Sequence, residues 1–411
     1  MLKFLITGLI LTLPLMAAAG RINVCSSCPV PSITLAIEKA QPGDTIFIES
    51  GLYKEGNIVI DKPLVFIGID FQQIDGDNEY EIFTVKADSV VIMGIQFQNI
   101  GTNYIEDRAA INIVKSQYIR IEGNRLINTI FGIYLENSKN CLVKDNYIKG
   151  DVQQEISSGN AIHAWYCKNL HIEGNTVINH RDGIYLEFVD SSSIVNNISK
   201  DNLRYGLHFM FSDVDKYIND HFESNGAGVA VMFSKYIRMQ GNNFVRNWGA
   251  ASYGLLLKEI TDGVIEGNLF SENTIGIYAE SVSRMNIVGN DFIRNGWALK
   301  ILGSCVDNRF ESNNFISNTF DLITNSAKNS NEYVRNYWSA YSGYDLDHDG
   351  IGDIPYRPIK LFSHVVSLVP TSIVLLRSLF IDLINFAETV TPIFTPETLT
   401  DDKPLIRKIK R

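Results

Sequence analysis

Three side chains in the middle of the chain have the types and the spacing of a soft-metal site. His208 and Met210 stand two residues apart in RYGLHFMFS, and Met232 holds the equivalent place in the later segment GVAVMFS. Thioether and imidazole groups are the ligands that Cu(I) prefers. His163, in the related segment AIHAWY, is a fourth candidate. The alternative interpretation is a pair of methionines covered by a loop or by a partner.

These residues belong to a line that recurs about every 22 residues, the sign of a solenoid. We number its Gly or Ala as position zero, which falls at Gly206 and Gly228 in the two segments above. Positions one and three are apolar in every repeat, whereas positions two and four vary. Such alternation predicts a half-buried strand. Stacking one strand per repeat predicts an all-β parallel β-helix of about ten or more coils over residues 21–338.

The spacing of such a fold decides which candidates can meet. Neighbouring coils lie roughly 4.8 Å apart, and residues i and i+2 roughly 6.7 Å apart. His208 and Met210 are both expected to face outward, so these two and Met232 can converge on one Cu(I) ion. His163 lies two coils away, with Tyr185 between, and would belong to an extended surface or a second site.

A column of asparagines accompanies the strands. It recurs about eight residues before each position zero, and Asn suits turns and stacks of amides. We interpret the column as structural. Its members are Asn124, Asn175, Asn242, Asn268, Asn290 and Asn313, with Asn146, Asn196 and Asn336 in looser contexts.

The N-terminal region indicates export. Residues 1–20 have the charge, the short apolar run and the small residues of a secretory signal peptide. Cys25 and Cys28 then form C-x-x-C, which fits a local disulfide, a soft-metal pair or a redox motif. The other cysteines are expected to be buried thiols. Residues 32–40 have helical spacing and are predicted to cap the open end of the solenoid.

The net charge and two longer intervals between repeats give further information about function. The formal net charge of −10 argues against a nucleic-acid partner. Two longer intervals between repeats place insertions near 151–160 and 247–252, at turns where a solenoid can carry function.

The regular pattern ends in a segment rich in Asp and Gly, at 339–360. Asp345, Asp347, Asp349 and Asp353 alternate around Gly350 and resemble the first half of a calcium loop. The Glu expected at the twelfth position is replaced by another residue, so an EF-hand is excluded. Calcium and a tight turn of Asp side chains both remain open.

Residues 361–390 read as a largely apolar amphipathic helix, kinked or split at Pro370. Charged residues interrupt the run, which argues against a plain transmembrane span. The segment is expected to dock on a membrane surface or a membrane protein. The alternative is a helix packed back on the solenoid, and residues 391–411 remain as a tail.

A carbohydrate-active enzyme is the rival function. Glu136 and Glu187 fall in one column roughly 9.6 Å apart, near the upper end of the spacing for inverting hydrolysis. Trp165 between them could stack on a sugar. Proton abstraction of the lyase type could use Arg181, Asp182 and Lys258. A passive adhesin or spacer is a third class, which explains the repeat but leaves the methionines and the apolar segment unexplained.

The signal peptide, the segments RYGLHFMFS and GVAVMFS, the stretch NYWSAYSGYDLDHDGIGDIPYRP and the apolar segment together resemble the NosD family. The resemblance extends over essentially the whole chain. It implies a right-handed parallel β-helix that serves the maturation of nitrous oxide reductase in the periplasm. It also implies an ABC-type transporter with a membrane permease and a cytoplasmic ATPase, and a lipoprotein copper chaperone that supplies the copper–sulfur centre of the reductase.

On this resemblance we expect a non-enzymatic protein held on the permease by residues 361–390. Transient handling of Cu(I), or docking of the chaperone, would fall to the patch of His208, Met210 and Met232. No segment resembles an ATP-binding loop, so ATP hydrolysis would belong to a partner.

Overall fold

A computed structural model describes residues 20–101, 107–152, 154–155, 158–249, 252–326, 328–376, 378–390 and 399–410. Residues 1–19 of the predicted signal peptide and residues 391–398 of the predicted tail lie outside the described residues.

The chain winds into a parallel β-solenoid of about 13 turns, which confirms the predicted fold class. Each regular coil contributes one strand to each of three sheets, which hold 14, 13 and 12 strands in the described residues. Each strand pairs in parallel with its counterparts one coil away. We call them sheets 1, 2 and 3 in the order in which a coil visits them.

The strands of sheet 1 are β1 Arg21–Val24, β2 Thr45–Ile48, β5 Val65–Gly68, β8 Val91–Met93, β11 Arg120–Glu122, β14 Leu142–Lys144, β17 His171–Glu173, β20 Ser193–Val195, β23 Lys216–Ile218, β26 Arg238–Gln240, β29 Thr261–Glu266, β32 Ser283–Val288, β35 Val306–Glu311 and β38 Ser330–Val334. The strands of sheet 2 are β3 Leu52–Tyr53, β6 Gln73–Asp75, β9 Gln96–Gln98, β12 Arg125–Ile127, β15 Tyr147–Lys149, β18 Thr176–Ile178, β21 Ile198–Lys200, β24 His221–Glu223, β27 Asn243–Val245, β30 Leu269–Ser271, β33 Asp291–Ile293, β36 Asn314–Ile316 and β39 Tyr337–Trp338. The strands of sheet 3 are β4 Ile58–Ile60, β7 Phe83–Val85, β10 Ala109–Val114, β13 Phe131–Glu136, β16 Asn160–Trp165, β19 Asp182–Glu187, β22 Tyr205–Met210, β25 Ala227–Met232, β28 Leu255–Lys258, β31 Ile275–Glu280, β34 Trp297–Ile301 and β37 Phe320–Ile323.

The core is continuous along the solenoid because positions one and three of sheet 3 point inward in every coil, as at Leu207 and Phe209. Position zero turns inward too. A Cβ on Gly206 would lie 2.7 Å from the Gly228 carbonyl oxygen, so the position favours Gly, and where the repeat has Ala, as at Ala161, that residue is fully buried. Aromatic rings stack inside sheet 2 at centroid distances of 4.0–5.5 Å, through Phe222, Phe244, Phe270, Phe292, Phe315 and Trp338.

Two buried ladders of asparagine run along the turns. Between sheets 1 and 2, each backbone N–H donates to the side-chain oxygen one coil on, through Asn124, Asn146, Asn175, Asn197, Asp220, Asn242, Asn268, Asn290, Asn313 and Asn336. The exposed Asn196, assigned to this column above, is replaced in the ladder by its neighbour Asn197. A second ladder between sheets 2 and 3 joins Asn202, Asn225, Asn247, Asn273, Asn295 and Asn318.

Helices close both ends. Helix α1 (Ile33–Lys39) covers the first coils as predicted. Ser32 caps it, with its side-chain oxygen accepting from the Leu35 N–H. At the far end, α2 (Leu361–Leu368), a 3₁₀ helix (Pro370–Leu375) and α3 (Leu379–Val390) follow one another, so the expected helix is split at Pro370.

The final residues return to the solenoid instead of forming a free tail. Asp401 is fully buried, and its carboxylate accepts from the Asn336 amide and from the Trp338 indole N–H at 3.0 Å. It therefore ends the first asparagine ladder, and the excursion through α2 and α3 is anchored on both sides. Among the described residues, no helix is both long and apolar enough to cross a lipid bilayer.

Candidate functional site

The two methionines of the candidate site meet on the outer face of sheet 3. Met210 ends β22, Met232 ends β25, and the register pairs them directly across neighbouring coils. Both side chains are half-buried. Glu187 precedes them in the same column and Lys258 follows, so the thioether pair lies between opposite charges.

His208 differs from the expectation of an outward, accessible imidazole. Its side chain lies on the outer face, but only 6% of the residue is exposed. The rings of Tyr185 and Tyr205 cover it, each with its centroid 4.8 Å from the imidazole. Neither ring nitrogen has a hydrogen-bond partner. A neutral imidazole without a partner keeps a nitrogen lone pair for a metal ion.

His163 is also buried, with 8% exposed. It stands between the rings of Tyr134 and Tyr185, at centroid distances of 4.5 and 4.8 Å. Burial, helped by the nearby Arg181 guanidinium, lowers the pKa of His163 to about 3, so the imidazole is neutral near pH 7. Tyr185 separates the two histidines in the register, so His163 and His208 lie two coils apart.

An ion-pair chain lies beside His208. The Asp182 carboxylate, with 1% of its side chain exposed, is 3.9 Å from His208 Nδ1 and 3.2 Å from Arg204 Nη2. Arg204 Nη1 lies 3.4 Å from a Glu155 carboxylate oxygen. Since Glu155 belongs to the predicted 151–160 insertion, that insertion reaches the site.

The acidic loop brings three of its four candidates together. Asp345, Asp347 and Asp349 can each offer a carboxylate oxygen within 4.8 Å of the others. The Asp353 carboxylate instead accepts from the Leu346 backbone N–H at 2.7 Å. The other carboxylates also accept backbone N–H groups of the loop, as Asp345 does from Gly350. A calcium ion and a loop closed by its own Asp side chains both fit this arrangement.

The cysteines form a local disulfide and buried thiols. Cys25 and Cys28 form a disulfide with Cα atoms 5.0 Å apart. Cys141, Cys167 and Cys305 are free and buried, and burial raises the pKa of each thiol.

The acids of the rival enzyme do not form a compact group. Trp165 lies between Glu136 and Glu187 in the register, and both carboxylates are half-buried side chains of the outer face. Asp182 pairs with Arg204, and Arg181 Nη2 donates to the Asn160 side-chain oxygen at 3.2 Å.

Comparison with known proteins shows which family this chain resembles. A family model described as "Periplasmic copper-binding protein (NosD)" matches residues 148–343, which include the four copper candidates. A Pseudomonas aeruginosa protein named "Probable ABC transporter binding protein NosD" is 29% identical over 405 residues, covering 91% of this chain and 93% of the relative. The chain resembles the NosD family over most of its length.

A second NosD relative, from Stutzerimonas stutzeri and with the same printed name, is 24% identical over 373 residues. The match covers 86% of this chain and 85% of the relative. The resemblance to NosD that the sequence predicted is thus confirmed by the family model and by both relatives.

Solved structures share the fold of this chain. The Dettilon tailspike protein matches with a TM-score of 0.59 and 15% identity, over 73% of this chain and 65% of that one. The catalytic domain of a GH87 α-1,3-glucanase matches with a TM-score of 0.54 and 11% identity, over 78% and 69%. A point mutant of the periplasmic alginate epimerase AlgG matches with a TM-score of 0.53 and 12% identity, over 78% and 83%. At these identities the likeness concerns the fold alone.

Sequence reasoning missed the surroundings of His208 in this candidate site. Tyr205 and Arg204 stand directly before the position-zero glycine, and Asp182 holds the same place as Tyr205 one coil earlier. The backbone turns inward at the glycine, so Tyr205 and Asp182 lie on the outer face beside position two. A polar or aromatic residue directly before position zero, at Asn160, Asp182 and Tyr205, was the available signal.

Proposed function

We propose that this protein is the periplasmic β-helix component of an ABC-transporter-linked assembly that matures the copper centre of nitrous oxide reductase. On its outer face it takes up Cu(I) transiently, or holds the lipoprotein chaperone that carries it. The family description as a copper-binding protein and the relatives' naming as ABC transporter binding proteins support the coarser part.

The direct pairing of Met210 with Met232 carries the copper proposal. Paired residues of neighbouring parallel strands lie roughly 4.8 Å apart, so two flexible thioethers can reach one ion. The uncharged thioethers select Cu(I) over harder divalent ions. His208, two residues before Met210, would supply the third ligand once its ring turns away from the tyrosines that cover it.

An anaerobic Cu(I) titration in competition with a chelator tests this site on the full-length mature protein. We expect one ion per chain in the wild type and loss of binding in Met210→Ala/Met232→Ala. Met93→Ala is the matched control, because Met93 is a half-buried methionine on sheet 1. Equal affinity in all three proteins would refute the thioether site, and His208→Ala reports whether the imidazole contributes.

The helical excursion is proposed to hold the solenoid on the permease, whose cytoplasmic ATPase supplies the energy. Phe362, Val366 and Ile381 pack on Phe320 of the last strand of sheet 3. The opposite side of the excursion leaves large apolar side chains in solvent, with Leu368, Val374 and Leu379 exposed by 83, 86 and 83%. Contiguous apolar surface of this kind marks an interaction site.

Co-purification with the permease tests this contact. Leu368→Ser/Val374→Ser/Leu379→Ser should remain folded and lose the permease. The control is Leu346→Ser, which removes a side chain that is 74% exposed in the acidic loop. Undiminished co-purification of the triple variant would move the contact elsewhere.

The remaining sequence-based expectations stay predictions: the signal peptide over residues 1–20, contact with the reductase, the absence of enzymatic activity, and calcium in the acidic loop.

A further inference from the structure

The residue that follows position four has an unusual backbone conformation in sheet 3. It has a positive φ in successive coils, including 50° at Asn137 before the candidate site and 54° at Glu259 after it. In the four coils between these two, the same place is aromatic, with φ of 51–54°. We call these four residues the aromatic ribbon: Tyr166, Phe188, Phe211 and Phe233.

Stability alone does not account for the ribbon. The left-handed conformation costs an ordinary side chain about 1–2 kcal/mol, whereas Asn tolerates it. Stacking returns about 0.5–1.5 kcal/mol per aromatic pair. The two effects roughly cancel, so the fold gains nothing over the asparagine that the same column holds at Asn137. Four large aromatic residues in successive coils of one partly exposed column therefore direct attention to function.

The geometry of the ribbon selects a protein as its ligand. Successive rings stack nearly parallel, with centroids 4.5, 5.1 and 4.9 Å apart. Their faces are therefore covered by one another, while Tyr166 and Phe211 remain 49 and 40% exposed. A sugar needs a free aromatic face, whereas apolar side chains of a protein pack readily against exposed ring edges.

The position of the ribbon beside the two methionines indicates which protein would dock on it. Phe211 directly follows Met210, and Phe233 directly follows Met232. When Cu(I) passes between two proteins, Cu–S bonds to one form as bonds to the other break, so both ligand sets must approach the same ion. The ion stays Cu(I) and the thioethers stay neutral, so the step requires no oxidant and no proton.

We propose that the aromatic ribbon is the docking surface for the copper-carrying protein that exchanges Cu(I) with Met210 and Met232. This inference rests on the proposed copper function and adds the surface through which the exchange partner is recognised.

The test replaces rings by the residue that the column itself uses. Phe188→Asn/Phe211→Asn/Phe233→Asn keeps a side chain suited to the backbone, so the variant is expected to unfold within a few degrees of the wild type. The probe is the soluble domain of the lipoprotein copper chaperone, with and without Cu(I). We expect unchanged Cu(I) affinity in the chelator assay, and chaperone binding and Cu(I) transfer weakened about tenfold or more.

Tyr118→Asn is the matched control, because Tyr118 is an exposed aromatic residue (57%) with a φ of 60° outside the ribbon. It should behave as the wild type. A triple variant with normal affinity for the chaperone and a normal transfer rate overturns the proposal. The proposal also fails if the wild type does not bind the chaperone. It fails in the same way if an acidic polysaccharide in the gel retards the wild type, which does not bind the chaperone, but does not retard the variant.

Failure of the copper site itself would look different. The wild type would then bind no Cu(I) in the chelator assay. The copper-free chaperone would still be compared between wild type and triple variant, so docking would be decided separately.

Discussion

Inside the solenoid several columns repeat one side chain from coil to coil, whereas position two on the outer face of sheet 3 changes between neighbouring coils. The asparagine ladder repeats one residue type along most of its length, and Phe270 lies between two other phenylalanines. Outside, position two changes from Tyr185 to His208 to Ala230. The repeating interior maintains the fold, whereas the changes at position two give this part of the outer face its different chemistry.

Breaking the interior repeat should have the largest effect. Asn268→Ala removes the acceptor of the Asn242 backbone and side-chain N–H groups, at 2.8 and 3.0 Å, and the donor to the Met239 carbonyl. Buried groups left unpaired cost about 1–3 kcal/mol each, so we expect a loss of about 3–5 kcal/mol in the free energy of unfolding.

Urea denaturation followed by circular dichroism measures that loss. Lys300→Ala, at position two of the outer face, is the control and should change the stability by less than about 0.5 kcal/mol. Similar losses in the two variants would contradict the distinction between interior and exterior.

Restoring the interior repeat should stabilise the protein. Asp220 interrupts the asparagine ladder, one of its carboxylate oxygens has no partner, and burial raises its pKa to about 7. The folded chain therefore holds a proton that the unfolded chain releases near pH 4, so stability falls as pH rises from about 4 to 7. Asp220→Asn should remove this loss and add about 2–4 kcal/mol at pH 8.

Melting temperatures of both proteins at pH 5 and pH 8 check this expectation. The advantage of Asp220→Asn should be larger at pH 8. An advantage that is equal at the two pH values would mean that the carboxyl titrates normally in the fold.

Making the outer face of sheet 3 more repetitive should change the stability less, and the change should appear at acidic pH. His163 stays neutral in the folded chain because its pKa is lowered to about 3, whereas the unfolded imidazole binds a proton below about 6.5. Its contribution is complete above pH 6.5 and falls by about 2 kcal/mol at pH 5. His163→Tyr, which extends the tyrosines at Tyr134 and Tyr185, should lose less stability between pH 7.5 and pH 5.

Melting temperatures at these two pH values test the substitution. His180 is fully buried with a pKa lowered to about 4, but it is present in both proteins and cancels in the difference. Parallel pH profiles for wild type and variant would show that His163 is not held neutral by the fold.

Much of this structure could be predicted from the sequence, because residues at equivalent positions of successive repeats pair with each other in a solenoid. The pairing of Met210 with Met232 follows from their equivalent places in two repeats, and the structure places them side by side. The assignment of Asn196 to the asparagine ladder was wrong by one residue, since the ladder uses Asn197. Two adjacent asparagines satisfy the same sequence pattern, and only the hydrogen bonds distinguish them.

The surroundings of the site could not be predicted in the same way. Periodicity tells which side of a strand faces outward, but it does not tell what covers that side. Tyr205 and Asp182 reach His208 because the backbone turns inward at the glycine, and Glu155 reaches Arg204 because an insertion folds back over the coil. The expected exposure of His208 and His163 was wrong for this reason.

The sequence by itself determined the coil, its register, the Met210–Met232 pair and the apolar face of residues 361–390, since each depends on spacing along the chain. The tertiary structure decided the burial of the histidines, the left-handed aromatic ribbon and the return of Asp401 to end the ladder. The period tells which residues stack in neighbouring coils. It fixes neither the backbone angle at a turn, nor what covers an outward side chain, nor where a distant segment returns, so only the folded coils decide those features.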